Sequence, residues 1–596
     1  MWLTFLALSV SCLILAAVFS FAINSRRVVN KKKFNLFNSL FAGVFVAAFF
    51  MFMPTYLSTA ELSVIGGLRA VLLSIFNSIQ VFTAGCEFGN VLENMAQCPE
   101  WLAIIYQAWI SVVYVVAPMF TIGIVLSLFK NVSANLKYLR VYFKDVYVFS
   151  ELNDKSIVLA SDIKSKHKKA AIVFTDVFED NEEKIYELIE QARNLGAICF
   201  KKDILVVNFK KHAESKSISF FAIGSNETEN LNQSLKLIEN YRNRDNTHIY
   251  IFSTKIESEL LLTAIDKGKV KVRRINEVQS LVNRILYERG SIIFDSARED
   301  TNGDKCISAV VVGMGNHGTE MVKALTWYGQ MDGYRLEINA FDQDELAEKK
   351  FVALAPELMS SDYNGVYVEG EAQYQITIHP NVDVRTITFA DKISKITNAS
   401  YVFVALGNDD MNINTAVNLR MYFERIKIHP VIQAVVYNSQ QRRALEGIEN
   451  YRGQAYDIEF VGDVESSYTE DVIIDSELEE DALKRHLKWG KEEEFWTYEY
   501  NYRSSMASAI HMKARVKCGI PGADKKEEEL SDEERNIIEV LEHRRWNAYM
   551  RSEGYVFSGS KEKTSRNDLA KMHHDLVDFS SLTEEEKRKD SKVGTN

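Results

Sequence analysis

Charge is almost missing from the front of this chain. Only ten Asp, Glu, Lys or Arg residues precede Lys130, against 141 from there onward, so the formal net charge of −11 averages over two different solvents. A strongly basic balance is also absent, which gives no reason to invoke nucleic acid, for which a cationic face would be expected. Cysteine is sparse: Cys199, Cys306 and Cys518 are scattered and suggest no metal site, whereas Cys86 and Cys98 share one segment where an oxidising compartment would allow them to join. The potassium-filter string TVGYG does not occur, and TAGCEFG at Thr83–Gly89 matches it too little to specify an ion.

What the front of the chain does have is apolar length. Residues 1–23, 35–57 and 101–129 each exceed the ~20 residues that cross about 30 Å of hydrocarbon, so residues 1–130 read as an α-helical transmembrane region and the lipid membrane as a partner. The first stretch has no basic start and meets a basic cluster at once, so it reads as retained and not as a cleaved leader. Arg26, Arg27, Lys31, Lys32 and Lys33 place the first loop inside. The loops at 58–63 and 85–100 carry Glu61, Glu87, Glu93 and Glu100 without Lys or Arg, while Lys130, Lys137 and Arg140 follow the last stretch. The expected topology is N-terminus outside and everything after residue 130 cytoplasmic, in the cell inner membrane.

That topology makes residues 64–84 enter and leave on one side, as a re-entrant segment; the alternative is an ordinary fourth helix that breaks the charge rule. Arg69, Asn77 and Gln80 fall close to one face of this stretch, where lipid tolerates them poorly, and are candidate pore-lining residues. Pro118 and Gly123 interrupt the last span and offer a hinge, although kinked spans without a moving part are as common.

After Lys130, short β-rich runs alternate with amphipathic helical stretches, which predicts parallel sheets with helices on both faces. The pattern occurs twice. VYVF (146–149), AIVFTD (171–176), FFAIG (220–224), HIYIFS (248–253) and VKVRRI (270–275) form a first lobe at 140–295. AVVVG (309–313), LEINAFD (336–342), YVFVALG (401–407), VIQAVVY (431–437) and DIEFVG (457–462) form a second at 305–480. The self-similarity of FFAIGSNETENLN and FVALGNDDMNIN supports duplication.

The second lobe carries GMGNHG from Gly313 to Gly318, directly between a strand and a helix. Gly313 permits the tight turn, Gly315 lets backbone approach a pyrophosphate, and Gly318 allows close helix–strand packing, with phosphates meeting the helix N-terminus. Asp342 ends the next strand, where a carboxylate would accept from ribose hydroxyls. The competing reading is a turn geometry kept in a domain that only packs. His317, inside the turn, reads as an exposed turn residue.

These residues, with the stretch ALGNDDMN (405–412) that contains Gly407, resemble the regulator-of-potassium-conductance family, also called the TrkA-N domain, as a tandem pair of Rossmann lobes over about 140–475. The resemblance implies a ring of lobes beneath a pore, a tetramer as the favoured homo-oligomer, and NAD(H) or another adenine-nucleotide-derived regulator. The first lobe departs from the pattern: its turn reads SELNDK, with Ser150, Leu152 and Lys155 at the glycine positions, so side chains should obstruct a diphosphate. Asp176 keeps the acidic position as a solvated strand end.

Residues 484–596 differ in texture. LEHRRWNAYMRSEGYVF and MHHDLVDFSSLTEEEKRKDS resemble the ryanodine-receptor (RyR) repeat domain of bacterial proteins, a mainly α domain, through Glu542, Trp546, Gly554, Tyr555, His573, Leu576, Val577, Leu582, Glu585 and Asp590. Tyr555 stands for the commoner Trp, and His574 for the usual Pro. Arg545, Trp546, Tyr555, Arg566 and His573 are the candidate ligand residues, since an aromatic beside cations stacks on a base and holds phosphate. For Trp546 alone, a place in the core is the stronger reading.

The leading expectation is therefore a ligand-gated channel or pore-forming effector controlled by a nucleotide-derived signal, which the resemblance sets among bacterial antiviral signalling systems. The alternatives are a non-conducting regulatory subunit of a transporter and a membrane-anchored NAD(P)-dependent oxidoreductase. No separate catalytic domain with a recognisable acid or base follows the glycine turn, so no enzyme is expected.

Overall fold

The computed structural model describes residues 1–25, 36–86, 88–95, 98–177, 183–299, 303, 305–368, 373–446, 450–451, 454–455 and 457–595. The cluster from Arg26 to Lys33, Glu87 and the side chain of Lys130, used above for orientation, lie outside the described residues. The chain divides into two compact units, Met1–Leu139 and Arg140–Asn596.

The first unit is helical: α1 (Trp2–Ser25), α2 (Leu36–Ser58), α3 (Val64–Val81), α4 (Phe88–Asn94) and α5 (Glu100–Leu139). Among the described residues three stretches are long and apolar enough to cross a membrane, Leu40–Ser58, Val64–Val81 and Glu100–Ile122, with Trp2–Val18 a shorter apolar helix. Residues 64–81 form one unbroken helix, and α5 passes Pro118 without ending.

Small residues let α1 and α2 approach, because a Cβ on Gly43 would come within 2.3 Å of Ala16 Cβ. Polar groups find partners inside the unit, as a hydrocarbon solvent requires. Trp109 Nε1 donates to Ser9 Oγ (2.8 Å), Ser9 Oγ to Ala47 O (2.7 Å) and Tyr106 OH to Met51 O (2.6 Å). Leu68, Leu72, Phe76, Val112, Val115 and Met119 face outward, which is stable against lipid and costly against water. Cys86 and Cys98 are free thiols.

The second unit holds two parallel sheets. The first contains β1 (Val146–Phe149), β2 (Ala171–Phe174), β3 (Ile198–Cys199), β4 (Ile218–Ala222), β5 (Thr247–Phe252) and β6 (Lys271–Ile275), ordered β3-β2-β1-β4-β5-β6. Its helices are α6 (Asp154–Lys166), α7 (Glu183–Asn194), α8 (Glu227–Tyr241), α9 (Ile256–Ala264) and α10 (Glu277–Arg289), followed by α11 (Ser291–Asp295).

After β7 (Arg298–Glu299), the second sheet repeats that order with β8 (Lys305–Val312), β9 (Tyr334–Phe341), β10 (Tyr374–His379), β11 (Tyr401–Val404) and β12 (Val431–Val435). A short β13–β14 pair (Asn450–Tyr451, Gln454–Ala455) precedes its last strand, β15 (Ile458–Val461). Its helices are α12 (Asn316–Tyr328), α13 (Ala347–Leu354), α14 (Ile387–Ile393), α15 (Asp409–Arg425), α16 (Ser439–Glu446), α17 (Val464–Ser467) and α18 (Glu470–Ile473).

Both faces of the second sheet are covered, as near-continuous apolar strands demand. Ala309, Val311 and Ile338 pack toward α10 and α12, while the alternate residues Val310, Val312 and Phe341 pack toward α14 and α15. The lobes exchange elements. Helix α10 follows the first sheet yet buries Leu281, Val282 and Ile285 in the second lobe's core, and the segment after the second sheet buries Tyr468 and Ile473 in the first lobe's core.

The remaining chain forms α19 (Glu477–His486), α20 (Glu492–Thr497), α21 (Glu499–Lys517), α22 (Asp532–Ser552), the pair β16 (Val556–Phe557) and β17 (Met572–His573), and α23 (Glu584–Gly594). It is no tethered appendage. Ile510, Ile538, Leu541 and Tyr549 join the same apolar core as the second sheet, and a Cβ on Gly554 would lie 2.6 Å from Leu354 O.

Candidate ligand sites

The strand order reverses between β8 and β11, and GMGNHG sits at the end of β8 beside that reversal, where such sheets open a crevice. Each glycine has a separate geometric reason. Gly313 has φ +95° and a Cβ there would lie 2.4 Å from Ala405 O; a Cβ on Gly318 would lie 1.7 Å from Gly313 O; around Gly315 there is open space. Gly407, at φ +78°, also faces open space across the crevice.

Helix α12 starts without a side-chain cap, which leaves its first amides available to an anion. Helix α6, its counterpart in the first lobe, is closed by its own Asn153, whose side chain accepts from Ser156 N at 2.9 Å. Ser150 Oγ accepts from Ile223 N (3.0 Å) and Glu151 from Ser225 N (3.2 Å), so side chains fill that first turn. Asp176 follows β2 at φ +57°.

Asp342 is already engaged. Its Oδ2 accepts from Met314 N at 2.5 Å and its Oδ1 from Asp344 N at 2.7 Å, so the carboxylate fixes the glycine turn from below. His317 is half-buried, not exposed: its Nδ1 lies 3.3 Å from Tyr437 OH, and burial pulls its pKa below the ordinary value against the opposing charge of Glu277.

The second site is a cavity of about 580 Å³ between α19, α21, α22 and α23, within the range of small-ligand pockets. It gathers Arg545, Trp546, Arg566 and His573. Tyr555 is buried and does not line it; its ring stands 5.9 Å from that of Tyr500, which does. Trp546 is half-buried with the edge of His573 against it at 4.9 Å, and Arg566 lies over the Tyr500 ring at 5.5 Å. Burial, with Arg566 and His574 nearby, lowers His573 to about 3, so its ring is neutral near pH 7.

The lining is also cationic. Arg545 gives Nε and Nη2 to Glu542, which Arg515 also contacts; burial pushes Glu542 up, but the two guanidinium groups outweigh it and hold the carboxyl at about 2. Glu542 lies between the two buried arginines, and half-buried Asp590 is the further acidic group beside them. Arg545 Nη1 and Ser508 Oγ, both on residues more than nine-tenths buried and lining the cavity, have no hydrogen-bond partner. Arg485 and Lys488 line the same cavity.

His573, His574 and Asp575 place three ligand atoms within 4.8 Å of one another. The two imidazoles stack at 4.7 Å and 10°, which aims their in-plane lone pairs side by side and not at one point.

The candidate pore residues separate. Asn77 is buried and donates to Tyr56 OH (2.6 Å) and Leu73 O (3.1 Å), Arg69 is exposed, and Gln80 is half-buried. Sequence reasoning missed Arg485, Lys488 and Ser508, which reach the cavity from helices far from Trp546 in the chain and carry no local motif. No protein-family model and no curated protein matches the chain.

Proposed function

We propose that the protein is a membrane effector, a ligand-gated channel or pore, whose cytosolic unit senses a nucleotide-derived signal. The observation that carries this reading is the cavity beside α22. An aromatic surface at Trp546 and cationic groups with unpartnered donors, Arg545 Nη1 and Ser508 Oγ, line the same space. A base or sugar stacks on the first and a phosphate takes the second.

In this reading the two sheets are Rossmann lobes of the TrkA-N type and the last segment is a RyR-type domain. The open glycine turn at Gly315 is a further nucleotide site, with NAD(H) or a related adenine nucleotide as its ligand. Four chains surround the passage, and the second unit lies in the cytoplasm. Residues 140–145 alone separate the last residue of α5 from β1, a connection short enough to transmit movement. The ligand shifts the gate only by its difference in affinity for the two states.

The test is ion flux from liposomes containing the purified full chain, with a panel of adenine dinucleotides and cyclic nucleotides. Flux should rise with one class of nucleotide, and Trp546→Ala should raise the concentration required about tenfold, in line with ~1–3 kcal/mol for a base stacked on an aromatic ring. Liposomes that stay ion-tight under every nucleotide remove the channel reading.

A further inference from the structure

The last helix is both a wall of the cavity and a competitor for its cations. Asp590 and Val593 of α23 line the space, and the carbonyl oxygens at its end turn toward the cationic groups. Arg485 donates to Val593 O (2.7 Å) and Thr595 O (3.2 Å), Lys488 donates to Thr595 O (2.8 Å), and Arg515 to Gly594 O (3.3 Å). We infer that the end of α23 is an internal latch: its carbonyls occupy the place of an anionic ligand group, and a phosphate entering the cavity displaces them. This rests on the cavity reading above.

Capping of a helix C-terminus by a cation is ordinary, because the last four carbonyls lack partners within the helix and carry its negative end. Three features exceed that explanation. Three cations converge on one helix end. Among the described residues no carboxylate pairs with Arg485 or Lys488, so neutral carbonyls are the partners of one buried and one half-buried positive charge. Two further donors, Arg545 Nη1 and Ser508 Oγ, face the same cavity unpartnered.

The charge balance supports the same view. Burial, with Arg515 and Arg545 nearby, outweighs Glu542 and Asp481 and brings Arg485 down to about 10, and burial beside Arg485 outweighs Glu527, Glu542 and Glu528 and brings Lys488 down to about 8. Carbonyl dipoles therefore leave both groups short of compensation. A phosphate supplies full negative charge and shorter, stronger hydrogen bonds, so exchanging carbonyl for phosphate is favourable wherever the helix end can swing away.

The helix is held by contacts that such an exchange would break together. A Cβ on Gly594 would meet Ile538 Cγ2 at 2.4 Å, so the helix end sits tightly on α22, and Asp590 meets His543 at 3.4 Å. Gly594→Ala therefore pushes the latch outward, its new methyl meeting Ile538 and, at 3.3 Å, Arg515 Nη1, while Arg485, Lys488 and Arg545 keep their places.

The experiment is hydrogen exchange on the full chain in detergent with sodium pyrophosphate, against sodium chloride at equal ionic strength, together with tryptophan fluorescence. Pyrophosphate should speed exchange of the amides in 587–594 about tenfold and leave 532–552 unchanged. Gly594→Ala should lower the pyrophosphate concentration for half-effect about fivefold, and Arg545→Ala should raise it at least tenfold. Lys488→Met, which removes one holding cation, should loosen 587–594 without any anion.

Slower exchange in 587–594 with pyrophosphate would overturn the latch and keep the cavity as an anion site that closes over its ligand. A fluorescence change that depends on Arg545, with exchange in 587–594 unaltered, would likewise overturn the latch alone. Silence in exchange and fluorescence in every variant would overturn both the latch and the cavity reading.

Discussion

Lys323 and Glu553 meet at 3.0 Å where α12 crosses the end of α22. One belongs to the helix that begins at the glycine turn, and the other closes the helix that carries Arg545 and Trp546. Arg503 holds the same carboxylate at 2.8 Å, and the Trp327 and Tyr549 rings cross at 6.3 Å beside them. The two candidate sites thus each use one helix of a packed pair.

Breaking that junction should be asymmetric. Glu553→Ala removes the carboxylate that Lys323 and Arg503 share, leaving them Glu320 at 3.2 Å and Glu259 at 3.6 Å, and is expected to cost about 3 kcal/mol. Lys323→Ala leaves Glu553 still paired with Arg503 and should cost less. Thermal unfolding of the full chain in detergent checks the order of the two midpoints.

The glycines of the turn should divide by function. Gly315→Arg places a side chain in open space and should leave the melting temperature within a few degrees while abolishing nucleotide binding at the turn. Gly318→Ala forces a Cβ onto Gly313 O and should destabilise by ~3 kcal/mol or more, since backbone on both sides resists relaxation. Paired melting and binding measurements distinguish the two effects.

Anion binding in the cavity should depend on pH through Lys488. A bound phosphate favours the charged ammonium, so affinity is full below about 8, the value to which burial and Arg485 bring Lys488, and falls as pH rises past it. Lys488→Arg keeps its charge throughout and should flatten the profile between pH 7 and 9.5. Titration of pyrophosphate at fixed ionic strength gives the comparison.

On α3 the polar residues should behave differently from one another. Asn77→Leu removes a buried hydrogen bond to Tyr56 and should lower stability by about 1–2 kcal/mol without altering the ion preference of any flux. A cysteine in place of exposed Arg69 should react with a water-soluble thiol reagent in liposomes if that face lines an aqueous passage. A cysteine at Asn77 should not.

Most of the sheet scaffold was readable in the sequence because its central strands are uninterrupted apolar runs. Besides the two-residue β7 that pairs with β8, the exceptions were β3 and β10, the third strand of each lobe. Both lie at a sheet edge, where β3 has only two residues and β10 alternates buried and exposed positions, so neither shows the continuous apolar signal. The glycine turn was legible because close backbone approach constrains residue type at fixed spacing. Half of the cavity was not, because Arg485, Lys488 and Ser508 come together only through helix packing. Arg69 and Asn77 share a face by spacing alone; the structure separates them because α2 covers one side of α3 and offers Tyr56 there.

The crossed-over α10 and the 464–474 segment have a practical consequence. A cut made between the lobes would strip each half of a strut lodged in its neighbour and lay bare Leu281 and Ile285 on one fragment and Tyr468 and Ile473 on the other. The halves should therefore melt in a single cooperative step and aggregate when produced apart, and any ligand that stiffens one must raise the resistance of its twin to heat.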